Sequence, residues 1–263
     1  MTIPPLFFAL LMWFIGTGAV VWLDSRPRHT FKTSHQLAGL VAVLAMAVVY
    51  AKGDDTSWQG AYIGFGAAIL IWGWHEMGFL MGFVAGPRHT RCPPGAVGWE
   101  RFRLATATVI HHEIALATNL LVLVAITWGQ PNQAAPLTFA LLFALRLSAK
   151  LNLFFGVPNL SDEIFPAHLA YLKTYFGEKS ISALYPFSVL ACIAVTYWAW
   201  TSAEAAATNS GPAVTATLLA GLAALGLVEH IFLVLPVRDA KMWRWASASK
   251  PTPPTAAKAA TIE

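Results

Sequence analysis

Charge is what this sequence has least of. Only 11% of its 263 residues are Asp, Glu, Lys or Arg, against about 25% in soluble domains, which excludes a surface built for water. Cysteine is nearly absent. Cys92 and Cys192 are the two present, too few for a disulfide framework. Gly/Ser linkers, internal repeats and a low-complexity core are missing as well, so residues 1–245 read as a single transmembrane helical domain. Residues 246–263, rich in Ala, Pro, Thr and Lys, read as a disordered cytoplasmic tail. The first apolar run has neither a basic leader nor a small-residue cleavage site, and is expected to be a retained helix. The net charge of +4 does not indicate nucleic acid, because the basic residues fall in short blocks between apolar runs.

What the chain has is apolar length. Hydrophobic residues make up 57% and mean hydropathy is +0.57. Seven apolar segments stand out, at about 4–23, 36–51, 58–85, 104–128, 135–156, 182–203 and 213–236. Each approaches the roughly 20 residues a helix needs to cross a bilayer. The fold class is therefore all-α, a polytopic membrane helix bundle of about seven transmembrane helices. Gly64, Gly66, Gly73, Gly78 and Gly82 in the third span are expected to let neighbouring backbones approach. Fourteen Lys and Arg fall on one side of these spans, in the loops following spans one, three and five and in the tail, with only Lys52 on the other. This bias predicts an N-out, C-in orientation.

The two remaining basic residues, Arg146 and Lys150, lie inside the fifth span. An ionisable side chain there costs at least about 2.5 kcal/mol on insertion scales, so it faces a partner, a cavity or a cofactor. The fifth span also carries Asn152; the third adds His75 and Glu76, the fourth His111, His112 and Glu113, and the seventh Glu229 and His230. At about 1.5 Å per residue, the ionisable ones all lie roughly 10–15 Å inside the basic face. Four helices thus bring polar groups to one level. The spacing of four puts Arg146 and Lys150 on one helix face. In the fourth span His111 and Glu113 cannot point to one spot; the inward pair is His112 with Glu113, or His111 with His112.

Three readings of this cluster remain open. His75, Glu76, His112, Glu113, His168, Glu229 and His230 are the ligand types of an iron or other transition-metal centre, although no Glu-x-x-His pair or desaturase-like His-x-x-x-His box is present. A magnesium tetrapyrrole such as bacteriochlorophyll is the second, with His75, His111, His112, Glu229, His230, Arg146 and Lys150 around it. The third is a structural network in which Glu76, Glu113 and Glu229 neutralise Arg146, Lys150 and histidine. The loop Gly86-Pro87-Arg88-His89-Thr90-Arg91-Cys92-Pro93-Pro94-Gly95 is a rigid basic turn that keeps its side inside and is suited to anionic lipid or an acidic partner, and its Cys92-Pro93 pair is a weak haem-regulatory signal. In the loop after the fifth span, Ser161 reads as a helix N-cap, and Asp162, Glu163 and His168 are candidates to close the cluster from below.

Trp72-Gly73-Trp74-His75-Glu76-Met77, Gly86 to Gly95, Ile110-His111-His112-Glu113 and Arg146 to Asn152 together resemble the PuhE family. So do Gly156-Val157-Pro158-Asn159-Leu160 and Pro166-Ala167-His168-Leu169. The resemblance covers roughly residues 4–240 and spares the tail. PuhE proteins are photosynthetic-complex assembly proteins of purple phototrophic bacteria, encoded near the reaction-centre H subunit. The resemblance implies a place in the bacterial inner (intracytoplasmic) membrane. It also implies partners among reaction-centre and light-harvesting subunits and other assembly factors, with a share in pigment supply. It carries no catalytic residues over. A membrane oxygenase or oxidase acting on a tetrapyrrole, carotenoid or quinone is the competing reading.

Overall fold

The computed structural model describes residues 4–159, 166–236, 243, 245 and 246. Seven helices cross it: α1 (Pro5–Asp24), α2 (Phe31–Ala51), α3 (Trp58–Leu80), α4 (Gly98–Ile126), α5 (Ala134–Phe155), α6 (Leu184–Ala205) and α7 (Gly211–Phe232). Each is long and apolar enough to span a membrane. Among the described residues there is no strand. Leu37, Leu40, Val43 and Leu44 of α2, like Phe187, Leu190 and Tyr197 of α6, are exposed. Such apolar surface is what a bilayer solvates and water does not.

The ends of these helices follow from local chemistry. Ser57 and Ser210 cap α3 and α7, each hydroxyl accepting a backbone N–H three residues on, which satisfies a donor with no intrahelical partner. The third apolar segment was expected to reach residue 85, but α3 stops at Leu80. Gly82 there adopts φ +82°, and Phe83 N–H turns back to the Gly78 carbonyl, a glycine-centred stop. The second and fourth segments are longer than expected, α2 starting at Phe31 and α4 at Gly98. In both, the extra turns carry polar and basic residues that hydropathy alone leaves out.

α3 is the axis of the bundle, packed against α1, α2, α5 and α7, while α6 leans mainly on α7. Roughly half of the apolar stretch is buried in α3 (56%) and α7 (50%), against 11–22% in the other five; these two form the interior. Lipid tails are as apolar as leucine, so close packing rather than hydrophobic transfer holds such helices together. At Gly64 a Cβ would stand 3.0 Å from that of Ala134 on α5, and at Gly78 it would meet the His35 ring at 2.8 Å. Gly66 and Gly73 have only ordinary contacts at 3.8 Å; their expected close approach does not occur.

The loop between α3 and α4 folds back onto α4. His112 N–H donates to the Ala85 carbonyl at 2.9 Å, and Arg88 N–H to that of Ala107 at 3.1 Å. Gly86 lies so close that a Cβ would sit 2.3 Å from the Ala107 carbonyl oxygen. A 3-10 stretch, Ala167–Tyr175, covers the same end of the bundle. Arg88 Nε donates to the Tyr175 hydroxyl at 2.6 Å, and Arg101 to the Tyr175 carbonyl at 2.7 Å. Arg88 of this loop and Arg101 at the start of α4 are therefore engaged inside the protein. Cys92 and Cys192 are both free thiols. Ser161, Asp162 and Glu163, and the tail from residue 247 on, lie outside the described residues.

Candidate functional site

On α5, Arg146 and Lys150 stand one turn apart and each meets a carboxylate from another helix. Arg146 Nη2 donates to Glu76 Oε2 of α3 at 3.1 Å, and Lys150 Nζ to Glu113 Oε1 of α4 at 2.5 Å. The Lys150 ammonium also lies 5.3 Å from the centre of the Phe79 ring. His112, wholly buried, has its ring 4.8 Å from the same Phe79 ring. Its Nε2 is 3.7 Å from Glu76 Oε1, too far for a hydrogen bond. Two acids and two bases thus neutralise one another inside an apolar bundle, the condition under which such charges are tolerated there. Satisfaction is incomplete. Glu76 Oε1, Glu113 Oε2, Arg146 Nε and both ring nitrogens of His112 are buried without a hydrogen-bond partner.

Two cavities flank these pairs. The first, about 240 Å³, lies among α1, α3, α5 and α7 and is lined by Glu76, Arg146, Glu229, Thr17 and apolar neighbours. The second, about 350 Å³, opens between α4 and α5, with Glu113, Arg146 and Lys150 at one end and mostly apolar walls. Arg146 and Ala149 line both.

Residues 1–254 match the family described as "Protein of unknown function (DUF3623)". The chain belongs to this family. A Rhodobacter capsulatus protein described as "Uncharacterized 30.4 kDa protein in puhA 5'region" is 36% identical over 248 residues, covering 93% of this chain and 90% of the relative. No solved structure matches. The relative's description ties the family to the puhA region, a photosynthesis gene cluster.

The other sequence-selected residues are placed as follows. In α4, His112 and Glu113 turn inward while His111 is exposed on the outer face, because each residue rotates the helix by about 100°. His75 turns to α4 two turns further along, where Asn119 Nδ2 is 2.8 Å from its Nε2. Glu229 lines the first cavity from α7. His230 is buried but faces α5 and α6: Nδ1 donates to the Gly226 carbonyl at 2.7 Å, leaving Nε2, 2.9 Å from Ser148 Oγ, to accept from that hydroxyl. Cys192 Sγ is 3.8 Å from Nδ1. His168 stands over Gly82, where a Cβ would come within 3.2 Å of its ring, and burial lowers its pKa from the ordinary histidine value. It does not join the ion pairs.

This placement does not make a metal centre of His75, Glu76, His112, Glu113, His168, Glu229 and His230. Among the described residues no three His, Cys, Asp or Glu side chains come close enough to hold one ion. Glu76 and Glu113 each give an oxygen to a cation of α5, and His75, His168 and His230 turn to other neighbours. An axial ligand to a bacteriochlorophyll needs a bare ring nitrogen. Those of His112 are bare, but His112 lines neither cavity. His75 Nε2 and both His230 nitrogens are engaged within the protein.

Sequence reasoning missed Phe79, the ring that neighbours both Lys150 and His112, and the polar chain behind His230. In that chain Asn152 Nδ2 donates to the Ser148 carbonyl and to Ser188 Oγ, at 2.9 and 2.8 Å. Asn152 carried a signal, being an amide inside an apolar span. Phe79 carried none.

Proposed function

We propose that this chain is a PuhE-type assembly factor, a non-catalytic membrane protein that helps the photosynthetic reaction centre and its light-harvesting ring to assemble. The observation that carries this reading is the Rhodobacter capsulatus relative, similar over nearly its whole length and described by its position beside puhA. The site agrees with it. Its acids and bases pair with one another, and the long bundle offers partners a wide apolar flank. The place of action in this reading is the bacterial inner membrane and its intracytoplasmic folds. The loops at 25–30, 81–97 and 156–183 face the cytoplasm, supported by the one-sided distribution of Lys and Arg. Reaction-centre and light-harvesting subunits and other assembly factors are the partners.

In the phototroph that carries this gene, its deletion is expected to lower the amount of assembled reaction-centre–light-harvesting complex, read by near-infrared absorbance of membranes and by native gels. The wild-type gene should restore it. Wild-type levels of the intact complex in the deletion strain would overturn the proposal.

A further inference from the structure

The cleft between α4 and α5 combines features that together describe a ligand. Its volume, about 350 Å³, falls within the range of small-molecule sites. Leu147, which lines it, is 40% exposed, so the cleft opens on the lipid-facing side of the bundle. Phe79, Phe102, Phe154, Tyr175 and Phe176 contribute aromatic rings to its walls, surfaces on which a flat ring packs well. Phe102 and Phe154 touch at 5.5 Å between ring centres, and both lie near the basic end. From Phe102 to Glu113 along α4 is eleven residues, or about 16 Å.

The inner end is polar, and its chemistry is specific. Lys150 has three N–H donors, one of which goes to Glu113 Oε1; among the described residues no second oxygen accepts from it. Lys150, Glu113 and Arg146 line the cleft, and each base is already matched by an acid. A bound anion would leave an uncompensated charge in low dielectric, and a cation would face Lys150 and Arg146. A pure hydrocarbon would leave the spare donors unanswered. What fits is a neutral, flat head with acceptor oxygens on a hydrocarbon tail.

From these features we infer that the α4–α5 cleft binds a membrane-dissolved carbonyl lipid of the prenylquinone kind, its ring beside Phe79 and one carbonyl oxygen accepting from Lys150. The assembly role does not require this ligand, and the binding test leaves that role untouched.

The test uses the full chain, purified in detergent and stripped of lipid, with equilibrium binding of a decyl-tailed benzoquinone. Saturable binding is expected. Decylbenzene, which lacks the carbonyls, should bind at least tenfold more weakly, and decanoate should not compete. Ala105→Phe places a ring in the cleft without touching the ion pairs and should abolish binding. Removing Lys150 alone strands Glu113, so the informative variant is Lys150→Leu with Glu113→Leu, which removes both charges. It should bind the benzoquinone and decylbenzene equally. Absence of saturable benzoquinone binding would overturn the proposal. So would full binding by Ala105→Phe, effective competition by decanoate, or an undiminished carbonyl preference in the double variant.

Discussion

One helix carries two polar faces of opposite character. Arg146 and Lys150 of α5 look toward α3 and α4, where charge meets charge beside two cavities. Ser148 and Asn152, offset by two residues, look toward α6 and α7 and form a neutral chain with Ser188, Cys192 and His230. In the neutral chain one buried atom, Asn152 Oδ1, lacks a partner; on the charged face and its neighbour His112 there are five. Hydrogen bonds between uncharged groups can close upon themselves inside apolar surroundings. Ion pairs carry more donors and acceptors than one partner satisfies, and the surplus is what a ligand can use. The neutral face reads as mortar, the charged face as a site.

This contrast can be broken most directly on the charged side. Glu76→Leu leaves Arg146 without its carboxylate; because the arginine side chain is 40% exposed, the loss of stability should be about 2–3 kcal/mol, below that of a fully buried pair. Adding Arg146→Leu should recover most of it, read as midpoints of unfolding in mixed micelles. If the double variant were no more stable than the single one, the pairing of these residues would have to be given up.

Gly86→Ala comes next. With a Cβ 2.3 Å from the Ala107 carbonyl oxygen, the loop has to lift from α4, at a cost of about 1–3 kcal/mol for an overpacked contact. His112 and Glu113 should shift with α4 while the His230 chain stays, which side-chain NMR of labelled histidine can follow. Equal changes at both would erase the distinction between the faces.

The smallest effect belongs to the neutral side. Ser148→Ala removes one interhelical hydrogen bond, and such bonds average about 0.6 kcal/mol in a membrane bundle. A loss as large as that of Glu76→Leu in the same micelle assay would show that the neutral chain matters as much as the ion pairs.

The seven spans were legible because apolar length is a property of each segment by itself. Helix starts were legible where the apolar run itself begins the helix, as in α3 and α5, and less so where basic turns carried α2 and α4 beyond the apolar run. The depth of the charged residues could be counted, and the i, i+4 spacing of Arg146 and Lys150 fixed their shared face. Rotation could not be read so far. When lipid and protein interior are equally apolar, hydropathy does not say which way a helix turns. Hence His111 points outward, His230 answers to α5 and α6 rather than to the acids, and His75 finds Asn119. The seating of Gly86 on α4 was also beyond reach, because a loop glycine looks the same in sequence whether it turns in solvent or lies against a backbone.

Arg146 stands in the wall of both chambers. A change of side chain at this one position therefore alters the lining of the lipid-side cleft and of the central hollow together.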